Sequence, residues 1–113
     1  MSRVRNRASA WLLLGALLSL PAVSPAEPQL SEPRKAELRH LLKQDCGSCH
    51  GLTMRGGLGP PITPQALAER DRETMVATVL YGRPGTPMPP WSTILTEDEA
   101  RWLVDLLYEG DIQ

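Results

Sequence analysis

The sequence contains no phenylalanine, and its aromatics are three tryptophans and two tyrosines in 113 residues. A small domain with so few rings is poorly supplied to build its interior from side chains alone. Cysteine is scarce too: Cys46 and Cys49 are the only two, at most one disulfide, so a disulfide-stapled scaffold is excluded. The apolar run Ala10 to Leu20 has 11 residues, well short of the roughly 20 needed to span a bilayer. No segment alternates apolar and polar residues over strand length, so the expected fold class is all-α. Basic residues are not in excess, 12 against 13 acidic, which argues against a nucleic-acid partner.

What is present begins with a leader. Arg3, Arg5 and Arg7 precede the apolar run, and Ser24-Pro25-Ala26 offers the small residues at which a signal peptidase cuts. Residues 1–26 are therefore expected to be a cleaved signal peptide with no stable membrane anchor, and 27–113 one domain in the periplasm. No adjacent arginine pair is present, so export is expected in the unfolded state by the general route. Losing three arginines with the leader takes twelve bases to nine against thirteen acids, a net charge of −4.

Within that domain the most informative stretch is Cys46-Gly47-Ser48-Cys49-His50. Two thiols three positions apart, with an imidazole directly after them, can reach both vinyl groups of a haem while the histidine meets its iron. Cys46 and Cys49 are thus expected to form thioethers to one haem c, with His50 as proximal ligand. A large flat cofactor would also supply the core that the aromatics do not. The competing reading, a thiol redox pair, would place the cysteines after a strand in a βαβ setting, which this sequence does not offer.

Local signals place the pentad among helices. Ser31, with Pro33 behind it, opens a first helix over Arg34 to about Gln44, on which Leu38, Leu41 and Leu42 recur at helical spacing. One further turn brings Cys46, Cys49 and His50 close to the same stripe. Glycines and prolines then dictate a loop over Gly51 to Ile62. Thr63-Pro64 opens a short turn through Ala68, and Asp71 caps a helix from Arg72 to Tyr81 that Gly82 and Pro84 end. On it, Met75 belongs to an apolar stripe with Val76, Val79 and Leu80. A last helix follows the capping box Thr96/Glu99 and runs to about Tyr108, its early acids favoured by the helix dipole.

An imidazole that ligates iron needs an acceptor for its other N–H, and a carbonyl of the Gly59-Pro60-Pro61 loop is the natural candidate. For the sixth iron position the methionines are unequal. Met54 hangs on a tether of roughly 14 Å from His50, too short to go round the ring comfortably. Met88 follows a long excursion and sits among Pro84, Pro87, Pro89 and Pro90, which stiffen its loop. It is the expected distal ligand, and an outer-sphere electron carrier, not an enzyme, is the expected function. An open-haem enzyme or gas sensor is the alternative, although only His40 offers a distal acid or base. Trp91 is placed over a haem edge or the propionates, and Arg83 opposite a propionate.

The run of helix, Cys46-x-x-Cys49-His50-Gly51, Gly59-Pro60, Met88-Pro89 and closing helix resembles the class I monohaem cytochromes c. The resemblance implies a small cytochrome c fold with the N- and C-terminal helices crossing, Pro60 accepting from His50, and Met88 as axial sulfur. The usual aromatic of the last helix is replaced by Leu106, with Trp102 and Tyr108 nearby. D-C-G-S-C-H-G-L-T-M-R-G-G-L-G-P-P and Y-G-R-P-G-T-P-M-P-P-W together resemble the NirC-type small cytochromes c of denitrifying bacteria. That likeness implies redox partner proteins, namely electron delivery to the periplasmic nitrite reductase with c and d haems, or a redox step in maturing its d-type haem.

Overall fold

A computed structural model describes residues 29–113. The expected leader and its cleavage point lie outside these residues. The described chain is helical, with no strand among the described residues. Helix α1 spans Glu32–Leu41, a π-helical turn follows over Leu42–Cys46, and α2 takes Gly47–His50. Then come α3, Pro64–Leu67, α4, Arg72–Tyr81, and α5, Glu97–Glu109.

Helix starts follow from local side-chain chemistry. Ser31, Thr63, Asp71 and Thr96 each hold the N-cap in an extended conformation and accept from the backbone N–H three residues on. That interaction satisfies one of the orphan donors of a first turn. The capping box of α5 is reciprocal: Glu99 N–H donates to Thr96 Oγ1 at 3.3 Å, and Thr96 N–H donates to Glu99 Oε2 at 2.9 Å. α4 ends where Gly82 adopts φ 68°, and α5 where Gly110 adopts φ 75°.

The first helical stretch differs from the regular helix expected to about Gln44. It starts at Glu32 and runs unbroken to His50, but one wide turn interrupts its α spacing. The N–H of Gly47 donates to the carbonyl of Leu42, five residues back. The buried positions therefore step from Leu38 to Leu42 by four and to Gly47 by five, and Cys46 is left half-buried. A π turn of this kind inserts one residue into the helical phase.

The core joins the first and last helices of the described residues. Leu38 and Leu42 pack in one cluster with Leu103, Leu106 and Leu107 of α5, together with Met54, Leu67 and Leu95. Leu106 is buried there, while Trp102 and Tyr108 lie at the margin, each under an arginine. A second cluster of Val76, Leu80, Ala100 and Val104 holds α4 to α5, and Met75 and Val79 pack against both. Ion pairs reinforce these contacts: Arg72 with Asp105 and Arg101 with Glu73 link α4 to α5. Arg39 of α1 donates to Asp111 Oδ2 at 2.7 Å and to the carbonyls of Asp111 and Gln113, both at 2.8 Å. Its guanidinium also lies 5.5 Å from the Trp102 ring centre, a cation–π contact.

Candidate functional site

The pentad occupies the end of the first helical stretch. Cys46 closes the π turn, Gly47–His50 form α2, and Ser48 Oγ steadies the turn by donating to the Asp45 carbonyl at 2.6 Å. Cys46 is half-buried against the main cluster, Cys49 is exposed, and the two are not joined in a disulfide. Burial, with the neighbouring charge of Asp45, pushes the Cys46 thiol up to about 11. A cysteine that stays protonated at neutral pH is a poor attacking thiolate, which counts against a dithiol oxidoreductase.

The loop after His50 is folded back onto the imidazole. Gly56 N–H donates to the His50 carbonyl at 2.7 Å, and Gly59 N–H donates to the Cys49 carbonyl at 2.8 Å. These bonds bring Pro60 into place, and its carbonyl oxygen lies 2.7 Å from His50 Nδ1. A carbonyl can only accept, so Nδ1 carries the proton and donates, and in the neutral ring Nε2 keeps its lone pair. Space here is tight enough to require glycine. A Cβ on Gly59 would sit 3.0 Å from the His50 ring, and one on Gly57 would sit 2.9 Å from the Cys49 carbonyl oxygen.

Met54 lies in this loop with φ 59° and only 2% exposure, buried in the main cluster. Its carbonyl accepts from Ile62 N–H at 2.9 Å and closes the loop. This methionine is a core residue.

Met88 lies half-buried in the second loop, 82–91. Its carbonyl accepts from Arg83 N–H at 3.1 Å, and its own N–H donates to Thr86 Oγ1 at 3.3 Å. Gly82 makes this possible, since a Cβ there would meet the Met88 carbonyl oxygen at 2.7 Å. Sequence reasoning assigned Gly82 only the end of α4; its second role depends on a backbone approach that no local signal encodes. Trp91 is half-buried against the main cluster, and its backbone N–H donates to the carbonyls of Val79 and Leu80, both at 3.1 Å. Arg83 is exposed and forms no ion pair among the described residues.

The donor set fits a covalently held haem: two unlinked thiols and one imidazole with a free nitrogen share a single turn, under a loop of glycines. The family described as "Cytochrome C oxidase, cbb3-type, subunit III" matches residues 33–107. The chain is 57% identical over 102 residues to a "Cytochrome c55X" of Pseudomonas aeruginosa, covering 90% of this chain and 86% of that one. This chain belongs to that family of c-type cytochromes. A solved structure titled "c-type cytochrome NirC" superposes with a TM-score of 0.72 at 63% identity, covering 74% of this chain and 98% of that one. One of "Dihydro-heme d1 dehydrogenase NirN in complex with DHE" gives a TM-score of 0.58 at 35% identity, covering 61% of this chain but 15% of that one. The cytochrome therefore has the all-α fold expected, with covalently bound haem c as its cofactor, and it is an electron carrier of the NirC type that exchanges electrons with redox partners.

Proposed function

We propose that this cytochrome works in the periplasm and delivers electrons to the nitrite reductase that carries c and d haems. In this reading Cys46 and Cys49 hold the haem, His50 ligates its iron on one face and Met88 on the other. The observation that carries the ligand assignment is the 2.7 Å contact between His50 Nδ1 and the Pro60 carbonyl, which turns Nε2 into the free donor. When bound, the haem supplies a one-electron iron couple. The chain's own residues then tune and protect that couple. The Pro60 carbonyl fixes the tautomer and raises the basicity of the imidazole. A thioether from Met88 favours the ferrous state and raises the potential. Trp91 shields a haem edge, and Arg83 neutralises a propionate.

The periplasmic assignment draws on the predicted leader over residues 1–26. No helix of the described residues is long and apolar enough to cross a membrane. A second reading draws on the likeness to the dihydro-haem d1 dehydrogenase: a redox step in maturing the d-type haem.

Two measurements test the proposal. The reduced holoprotein is expected to be low-spin and six-coordinate, and carbon monoxide binding at neutral pH would sink the Met88 assignment. Reduced holoprotein mixed with purified nitrite reductase at micromolar concentration is expected to lose its electron. No transfer there, with the oxidised holoprotein instead accepting electrons from the substrate-loaded d1 dehydrogenase, would favour the second reading.

A further inference from the structure

The 82–91 loop is poor in groups that could hold it in shape. Pro84, Pro87, Pro89 and Pro90 carry no N–H, so between positions 84 and 90 only Gly85, Thr86 and Met88 have a backbone donor. Both ends of the loop are fixed to α4. Gly82 N–H donates to the Thr78 carbonyl at 2.9 Å, and Trp91 N–H to the carbonyls of Val79 and Leu80. The middle, which carries Met88, needs a support of its own.

Thr86, an exposed residue two positions before Met88, provides that support. Among the described residues it is the one member of the loop whose side chain makes hydrogen bonds, and its hydroxyl is used in both directions. As a donor it reaches the Arg83 carbonyl at 2.7 Å, and as an acceptor it takes the Met88 N–H at 3.3 Å. Thr86 N–H donates to the same Arg83 carbonyl at 3.1 Å and closes a turn over Arg83–Thr86. Arg83 N–H in turn donates to the Met88 carbonyl at 3.1 Å. Arg83 and Met88 are therefore tied together twice, once directly and once through the Thr86 hydroxyl. The residue type suits the task. Pro87 restricts Thr86 to extended backbone, and a β-branched side chain has few χ1 settings, so little freedom is lost in making the two bonds.

We propose that Thr86 is a positioning residue for Met88: its hydroxyl keeps the loop closed and limits how readily an outside ligand takes the place of the methionine on the iron. The proposal rests on Met88 being the distal ligand. An outside ligand binds the fraction of molecules in which Met88 has moved away, so its apparent affinity reports that fraction. Loss of the hydroxyl raises the fraction and leaves the proximal side, with Pro60 on His50, as it was.

The test uses imidazole and the ferric holoprotein, in which an Fe–N bond forms as the Fe–S bond breaks and no electron is exchanged. Thr86→Val keeps the β-branch and removes the hydroxyl, and should bind imidazole about fivefold more tightly, the effect of one hydrogen bond. Thr86→Ser restores the hydroxyl and should lie within about twofold of wild type. Thr78→Val is the control, because it also loses a hydroxyl bond, to the Thr74 carbonyl at 2.8 Å, but inside α4. Its imidazole affinity should match wild type. Unchanged affinity in Thr86→Val, or an equal rise in Thr78→Val, would overturn the proposal, the second because general loosening would then explain the effect. Failure of the ligand assignment has a separate signature. Met88→Ala would then bind imidazole no more tightly than wild type, and the role of Thr86 would fall with it.

Discussion

Arg34 Nε donates to Glu99 Oε1 at 2.6 Å, joining the first turn of α1 to the first turn of α5 across the helix crossing. Glu99 is 7% exposed, and its other oxygen accepts from Thr96 N–H at 2.9 Å. One carboxylate thus caps α5 and anchors α1, which explains why a charge is tolerated at that depth. Glu99→Ala removes both interactions, and hydrogen bonds to charged groups of this kind are worth about 1.5–3 kcal/mol. Chemical denaturation of the holoprotein should show a loss in that range. Glu97→Gln, which loses the solvent-screened pair with Arg101 and one acid favoured by the α5 dipole, should cost less than about 1 kcal/mol. Equal losses for the two variants would contradict the double role of Glu99.

The same contact makes stability depend on pH in a defined direction. Arg34 beside Glu99, and Arg39 beside Asp111, hold these carboxyls below the usual carboxylate range. Arg101 does the same for Glu73, and the N–H and hydroxyl of Thr74 do it for Asp71. Each folded-state value lies below the unfolded one, so the folded state binds fewer protons in acid. The stabilisation is fully present above the ordinary range and drains away as pH falls through the lowered values. Helix content at a fixed denaturant concentration should be flat from neutral pH to about 5 and drop below about 4.5. In Glu99→Gln the drop should be shallower; an identical profile would show that this carboxylate does not contribute.

Gly82 and Gly85 offer a matched pair. Both have positive φ, 68° and 79°, yet a Cβ on Gly82 meets the Met88 carbonyl oxygen at 2.7 Å, whereas one on Gly85 meets nothing within 4 Å. Alanine at either costs about 1–3 kcal/mol of backbone strain. Only Gly82→Ala must also push the Met88 strand of the loop away. The reduced Gly82→Ala holoprotein should contain a five-coordinate fraction that binds carbon monoxide, and Gly85→Ala should remain six-coordinate. Carbon monoxide reactivity in neither variant, with both folded, would separate the Gly82 contact from ligation.

Much of the architecture was legible because its determinants are local. The four N-caps and the bounds of α4 follow from residues within one turn of each helix end, and the pentad's spacing is itself the chemistry it serves. The contacts that escaped are long-range in sequence. Nothing near Arg34 announces Glu99, 65 positions on, and nothing near Arg39 announces the tail at Asp111 and Gln113. The left-handed φ of Met54 and the approach of Gly82 to Met88 arise when loops are pressed on a core, so composition could place the loops but not their backbones. The π turn escaped for a different reason: Leu38, Leu42 and Cys46 are spaced as in a regular α-helix, and the wide turn, which buries Gly47 in place of Cys46, leaves no mark in that spacing.

That inserted residue is absorbed within the wide turn. Deleting Gln44, which is exposed, should let Leu42–Cys46 relax to α spacing. The five-residue step from Leu42 to Gly47 would become a step of four, the ordinary same-face spacing of an α-helix, so Cys46, Cys49 and His50 would keep their bearing on Leu38 and Leu42. His50 would then stay within reach of the Pro60 carbonyl. The deletion variant should be helical by circular dichroism and carry full covalent haem by intact mass. Loss of covalent haem in a folded deletion variant would mean that the wide turn itself, and not the facing of the residues beyond it, sets the site.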